Sequence, residues 1–485
     1  MLTSKDILLG KLRGGESMAG REQLALTFLL ALPAILAQLS MCLMSYIDSA
    51  MVGRLGSGPA ASVGLVSTTT WLVGSFCYAN SSGFSVQISH RCGARDFDGA
   101  RKVFRHGLVS VIVLSLALCS IAVALSGTLP RLLGGGPDIV DDASAYFRIY
   151  ALFLPAFQLA VYSEGSLIAS GNMKVPSIVS MMMCLLDVVF NYLFIFIMGM
   201  GAKGAALGTG LAEACAALFL LIYVFRTSPE LKQSASEFLQ PVRKFLGTKT
   251  PAVEKASVPD PPVGDRNILE QALHISWPLW LQNLISRGAY VASTVLIAPL
   301  GTVAVAANSF AVIAEGFCYL PGYGMQDAAT TLIGQSIGAK RKDLARRFAW
   351  ITIGSGASMM ALLSILMYAF APGIMGLLSM DPEVITLGAQ CLRIEAFAEL
   401  LFGVSIVAHG CCVGAGDTVF PSMVNLLSMW IVRIGLAVIL IPRMGLAGYW
   451  VAMATELSVK GVIFALYIRS ERWMKTKLTY NENNR

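Results

Sequence analysis

The sequence predicts an all-α polytopic membrane protein, with twelve transmembrane helices in two six-helix bundles related by a pseudo-two-fold axis along the membrane normal. Three observations carry that expectation. Of 485 residues, 55% are hydrophobic and only 13% are charged, whereas a soluble domain carries about 25% charge. Residues 55–90, 107–130 and 349–380 contain no Asp, Glu, Lys or Arg at all. The two halves of the chain also repeat each other at a fixed spacing.

With about 20 residues to a crossing, spans are expected near 24–52, 60–89, 107–130, 147–170, 176–198 and 204–225. A second six is expected near 275–298, 304–334, 349–371, 390–413, 419–441 and 446–468. The leading stretch from Met1 to Arg21 is mixed and basic, and the apolar run behind it is long enough to span. It is therefore expected to stay as a membrane helix and not to be removed as a signal peptide.

Basic residues concentrate in two connections. One holds Arg91, Arg95, Arg101, Lys102 and Arg105, the other Lys340, Arg341, Lys342, Arg346 and Arg347. The alternate connections carry Asp138, Asp141 and Asp142, or Asp381 and Glu383. The positive-inside rule makes the basic connections cytoplasmic and puts both termini inside. The expected organisation is a cytoplasmic tail at 1–22, a first lobe at 23–225, a linker at 226–274, a second lobe at 275–470 and a tail at 471–485. The linker holds Pro229, Pro241, Pro251, Pro259, Pro261 and Pro262 with charges of both signs, and its Pro-rich piece at 251–262 is expected to be its loosest part.

The net charge of +7 falls at helix ends, where orientation signals lie, and implies no nucleic acid. Ten cysteines sit mostly in apolar segments without metal-site spacing and read as small buried residues.

The repeat is read from one offset. Pro33 and Pro278 stand 245 residues apart, as do Leu55-Gly56 and Leu300-Gly301, Gly93-Ala94 and Gly338-Ala339, Arg148-Ile149 and Arg393-Ile394, Gly171 and Gly416, and Pro176-Ser177 and Pro421-Ser422. Beyond them the offset drops by one, pairing Met200-Gly201 with Met444-Gly445. Six spans per repeat is an even number, so both halves enter the membrane with the same orientation, as parallel repeats do.

One charge stands out. From Leu24 to Gly53 the only charged residue is Asp48. A carboxylate at mid-bilayer costs roughly 2.5–3.5 kcal/mol on insertion scales. Either neighbouring hydroxyls satisfy it structurally, or it holds a proton or cation.

These residues bring a family into view. The chain resembles the multidrug and toxic compound extrusion (MATE) family over nearly its whole length. The resemblance rests on Pro33, Asp48 followed by MVGRLG, the GAR and GAK connections, GNMKVPS and GDTVFPS, and the segment DVVFNYLFIFIMGMGAKGAALGT. It implies a twelve-helix secondary antiporter that exports organic, often cationic, substrates in exchange for H⁺ or Na⁺ by alternating access. The implied setting is a bacterial inner membrane, and the implied form a monomer needing no cofactor beyond the coupling ion.

In many members an Asp of the first helix, an Asn and an Asp four apart in the fifth, and a Thr of the sixth form a cation or proton site. Carried over, these are Asp48, Asp187, Asn191 and Thr209, with acid and amide exchanged in the fifth helix. At 1.5 Å per residue, Asp48, Asn191 and Thr209 fall about 6, 10 and 8 Å from their outer helix ends, and Asp187 roughly 16 Å. Asp187 and Asn191 share a helix face.

Glu164, Glu213, Glu395, Arg433 and Glu456 also fall in or near apolar spans, as do Glu399, Arg287 and Asp327. The last three form a possible second-lobe polar site, with Arg287 and Arg433 placed to neutralise Asp327 or Glu399. A structural ion pair is the plainer reading. One branch of the family uses acids in the seventh and tenth helices, and those positions here are Ser286 and Phe402. Trp71, Phe157, Met181, Met182, Met183, Trp277 and Trp280 suit either an adaptable substrate cavity or ordinary helix packing. Gly204–Gly208 and Gly410–Gly414 read as close-packing positions. No HExxH, GxSxG or Walker loop points to an enzyme. The competing functional reading is a flippase for a lipid-linked substrate.

Overall fold

The structure, a computed structural model, describes residues 4–232 and 265–475. Among these residues there is no strand. The Pro-rich piece at 251–262 and the end of the tail, 476–485, lie outside the described residues.

The helices run α1 (Ser4–Gly14), α2 (Gly20–Gly53), α3 (Ser57–Gly93), α4 (Phe97–Leu125) and α5 (Pro137–Ala169). Then come α6 (Lys174–Ile197) and α7 (Ala202–Arg226). The second half holds α8 (Asp265–Ile297), α9 (Thr302–Gly338), α10 (Lys342–Leu378), α11 (Pro382–Ala396) and α12 (Glu399–Ala415), then α13 (Val419–Met444) and α14 (Leu446–Arg469). Among the described residues ten helices are long and apolar enough to cross a membrane, and α11 with α12, bent by 59°, pass the same test together, which gives eleven if that pair is one span. The remaining expected span lies in α8. That helix is long enough, but Gln282, Asn283 and Arg287 make its middle too polar to pass by composition alone.

Several helices outrun the expected spans at their basic ends. The connections expected at 91–105 and 338–347 shrink to a few residues, because a helix leaving hydrocarbon can continue in water at no loss of hydrogen bonding. Asp96 closes the first connection. Its side chain accepts from the Gly99 amide at 2.8 Å and pairs with Arg91 at 2.6 Å. The expected tail at 1–22 contains α1, whose Leu9 and Leu12 are buried and whose Arg13 donates to Gln335 at 3.0 Å.

The 245-residue repeat is written in the backbone. The bounds of α3 and α9 differ by that offset at both ends. Left-handed residues recur in register: Gly56 (φ 104°) with Gly301 (94°), Arg95 (61°) with Lys340 (57°), Gly171 (89°) with Gly416 (85°), and Gly201 (59°) with Gly445 (60°). Two departures break the symmetry. Helix α5 is continuous through Pro155, while its counterpart divides into α11 and α12 without a proline. Each repeat also has a π-helical turn, at Leu193–Ile197 and at Ser428–Ile434, and these do not coincide under the offset.

Two compact units are present, one of Leu43–Trp277 and one of Met1–Cys42 with Pro278–Arg485. They divide within α2 and α8, and so are drawn differently from the sequence lobes at 23–225 and 275–470. In the first, Tyr162 stacks on Phe104 at 5.3 Å and donates to its carbonyl at 2.9 Å. In the second, Ala304, Ala307, Ala311 and Ala314 form a buried stripe on α9, and Trp450 donates to Asn308 at 3.1 Å.

Lipid is as apolar as these side chains, so close packing through small residues does the work that hydrophobicity does in water. The glycine pairs read from sequence serve this end. A Cβ on Gly204 would stand 2.8 Å from the Phe194 carbonyl carbon, and one on Gly414 would stand 2.5 Å from the Thr330 carbonyl oxygen.

Candidate functional site

Within the unit Leu43–Trp277, α2, α6 and α7 bring the carried-over residues together. Asp187 and Asn191 lie four apart on the regular part of α6, so both point the same way. Both are buried. The Asn191 amide nitrogen donates to Asp48 Oδ1 at 2.9 Å and to Asp187 Oδ2 at 3.0 Å. One NH₂ group thus spans two carboxylates from different helices.

Thr209 on α7 faces Asp187, as Asp48 does from α2. The close approach of α6 and α7 depends on Gly208, since a Cβ there would stand 2.1 Å from Asn191 Oδ1. Asp187 Oδ1 and Asn191 Oδ1 are buried and accept no hydrogen bond. These unsatisfied acceptors belong to residues one turn apart on α6, and a proton or a monovalent cation would satisfy them.

Two residues join this group that sequence reasoning had not connected to it. Tyr146 on α5 shares the electrostatic field of Asp48, Asp187 and Glu213, and Glu213 on α7 also faces Asp187. Glu213 had been noted as an acid in an apolar span. Tyr146 carries no sequence signal, because a tyrosine in a membrane helix is ordinary.

The other unit holds a different charge cluster. Arg433 pairs with Glu456 at 2.8 Å, Lys460 stands 3.4 Å from the same carboxylate, and Ser428 donates to it at 2.7 Å. Ser428 and Arg433 sit five apart in a π-helical turn, whose i to i+5 repeat puts both on the Glu456 side.

This corrects the expected neutralisation of Asp327 or Glu399 by Arg433. Glu399 makes no ion pair among the described residues and has only the Cys318 thiol beside its carboxylate, and Glu395 has no hydrogen-bond or ion-pair partner there. Both flank the break between α11 and α12, and both are buried, with Glu315 of α9 facing Glu395 and Glu399. Arg287 lies 5.9 Å from the Tyr290 ring, and Asp327 is half-buried on α9. Glu315 went unread in the sequence although its signal is the one Asp48 gives, an acid alone in an apolar run. Under the 245 offset Ser293, Val432 and Leu436 stand at the positions of Asp48, Asp187 and Asn191, and under the 244 offset the last two are Ile431 and Gly435; with either, the second repeat does not reproduce the first repeat's site.

Charge kept inside membrane helices is costly enough to mark a task performed there, and the family to which these helices belong is one of membrane transporters. The chain matches the MatE family over residues 33–193 and 278–439, and belongs to it. The two matched stretches open on Pro33 and Pro278, the first pair of the internal repeat.

Among its relatives is the probable multidrug resistance protein NorM of Pseudomonas aeruginosa, 28% identical over 89% of this chain and 86% of that protein. NorM of Chromobacterium violaceum is 25% identical over 90% and 92%. Multidrug and toxin extrusion protein 1 of Pongo abelii is 23% identical over 94% and 76%. Solved structures share the fold. A MOP superfamily transporter from Pyrococcus furiosus gives a TM-score of 0.84 at 19% identity, covering 96% of this chain and 99% of that one. The Vibrio cholerae MATE transporter VcmN in its bent form gives 0.81 at 18%, covering 97% and 98%.

Proposed function

We propose that this protein is an antiporter of the bacterial inner membrane, with both termini cytoplasmic, which exports organic cations of the multidrug type by alternating access in exchange for H⁺ or Na⁺. The observation that carries this reading is the single Asn191 amide bonded to both Asp48 and Asp187. Two carboxylates sharing one amide out of bulk water repel unless a proton or cation lies with them, so the pair exchanges an ion more readily than either acid alone. Binding that ion shifts the bundle toward the state for which the ion has the higher affinity. In that way an ion gradient drives substrate the other way.

The printed names of the relatives, multidrug resistance and multidrug and toxin extrusion proteins, support the substrate class. None of the curated relatives named above is named as a lipid flippase. Two carboxylates beside one amide suit the charge of a cation better than that of a lipid-linked phosphate.

The test is efflux of a fluorescent organic cation from vesicles holding the purified protein, under ΔpH or ΔNa⁺ imposed separately. One gradient should drive export and the other should not. Export driven by neither would overturn the reading. Thr209→Ala removes one hydroxyl facing Asp187. It should weaken ion dependence about ten-fold while sparing export, since a hydrogen bond to a charged group contributes about 1.5–3 kcal/mol. The measurement is the half-saturating ion concentration.

A further inference from the structure

We propose that the outer end of the groove between α10 and α11 seats a phospholipid, with its phosphate on Arg393 and an acyl chain against Phe397. The proposal rests on the membrane fold and is independent of the ion-coupling reading.

The groove has a volume of about 470 Å³ and is lined by Tyr368, Thr386, Gln390, Arg393, Ile394 and Phe397. It continues along α11 into a second recess of about 480 Å³ that shares Thr386 and Gln390 and adds Glu383. Thr386, Gln390 and Arg393 follow one another at helical spacing along one exposed face of α11, and exposed Phe397 continues it just past the end of that helix. That face changes character along its length. Phe397 and Ile394 are apolar, Arg393 is cationic, and Gln390 and Thr386 are neutral polar groups. The order is that of a phospholipid: chain, phosphate, headgroup.

Arg393 is built into the wall. Its guanidinium lies 5.6 Å from the centroid of Tyr368, and Tyr368 meets Phe397 edge-on at 5.7 Å, so the ring is held between two side chains one turn apart. Its Nε donates to the Tyr368 carbonyl at 3.5 Å, and no carboxylate lies within ion-pair distance of it among the described residues. The remaining guanidinium donors face a groove lined by no acid at this level, and a phosphate is their natural acceptor.

The level is right for a headgroup. Helix α12 alone supplies about 25 Å, most of the hydrocarbon thickness, and Arg393 lies six residues before it, beyond the 59° bend, so it stands near the edge of that layer. The apolar wall also continues. Leu362, Ile365 and Phe370 on α10 and Leu400 on α12 are exposed, as a surface covered by acyl chains should be. The repeat mate supplies the contrast. Arg148 donates to Ser126 at 3.2 Å and has Leu152 where the second repeat has Phe397.

The experiment uses the purified full chain, stripped of lipid in detergent, titrated with short-chain phosphatidylglycerol, and read by native mass spectrometry and by melting temperature. Wild-type protein should take up one tightly held lipid and melt several degrees higher. Arg393→Gln should bind that lipid about ten-fold more weakly, the loss of one charge-assisted contact. Gln390→Trp, which fills the groove and leaves the charge in place, should do the same and gives an independent reading if Arg393→Gln folds poorly. Arg148→Gln should bind as wild type does. The proposal is overturned if both groove variants retain the lipid at wild-type affinity, if Arg148→Gln loses it equally, or if inorganic phosphate alone reproduces the rise in melting temperature.

Discussion

Asp48→Asn protein, present in the membrane at wild-type levels, is expected to lose ion-driven export altogether. The substitution keeps shape and removes charge. Asn191 would still find an oxygen at the position of Asp48 Oδ1, where its amide now donates at 2.9 Å, so folding should be preserved. What disappears is the second carboxylate, and with it the repulsion that makes one proton or cation bind tightly and leave on cue. A site with one acid still holds an ion, but its affinity no longer differs enough between conformations to move an equilibrium.

Asp187→Asn should fall nearly as far, because Asp187 is the buried member of the pair. Glu399→Gln, in the other unit, should be milder. Export and abundance are measured together in everted vesicles. Asp48→Asn protein that still exported with an unchanged dependence on the gradient would end the coupling proposal.

Glu456→Gln should produce the largest loss of stability in the second half. The carboxylate accepts from Arg433 at 2.8 Å and Ser428 at 2.7 Å and stands 3.4 Å from Lys460, all in the interior. Removing one partner of a buried pair leaves the other charge uncompensated, at a cost of about 3–5 kcal/mol. Here two cations would be left behind. Replacing Arg433, Glu456 and Lys460 together by apolar residues of similar size should recover most of that loss, since no charge then remains to solvate. Thermal unfolding in detergent reads both outcomes. Equal melting temperatures for wild type and Glu456→Gln would mean that water reaches the cluster.

How far the site was readable from sequence depended on the kind of signal. Asp48 announced itself as a lone charge in an apolar run, whereas Asp187, Asn191 and Thr209 came from the family resemblance, with which helix depth and a shared face agreed. Helix depth says nothing about the side of a bundle from which a neutral residue looks in, so Tyr146 stayed invisible. The pairing of Arg433 with Glu456 left no sequence signal, since the π-helical turn at Ser428–Ile434, whose wider repeat puts Ser428 and Arg433 on the same side, is itself unmarked in the residues. The bend between α11 and α12 left no trace either, for the proline that would announce it stands in the straight helix, at Pro155. Lengths and turns fared better. Glycines at left-handed positions recur in register because the backbone geometry requires them, so Gly171 and Gly416 were legible where side-chain partners were not.

The displaced π-helical turns have a consequence for anyone wishing to build a second ion site. A π turn admits about one extra residue, which rotates everything beyond it by roughly 100° relative to a regular helix. The second repeat takes that rotation at Ser428–Ile434, and the first takes it only after Tyr192. In the interval between, the two helices are out of phase: letters that align in sequence point along different compass bearings in space. Asn191 and Leu436, its partner under the 245 offset, fall within that interval. Grafting Ser293→Asp, Val432→Asp and Leu436→Asn should therefore fail to create a working copy, whereas moving the helical irregularity ten residues along would turn the new side chains toward one another. The phase of the helix, more than the alphabet written on it, keeps the two halves of this duplicated chain from doing the same job.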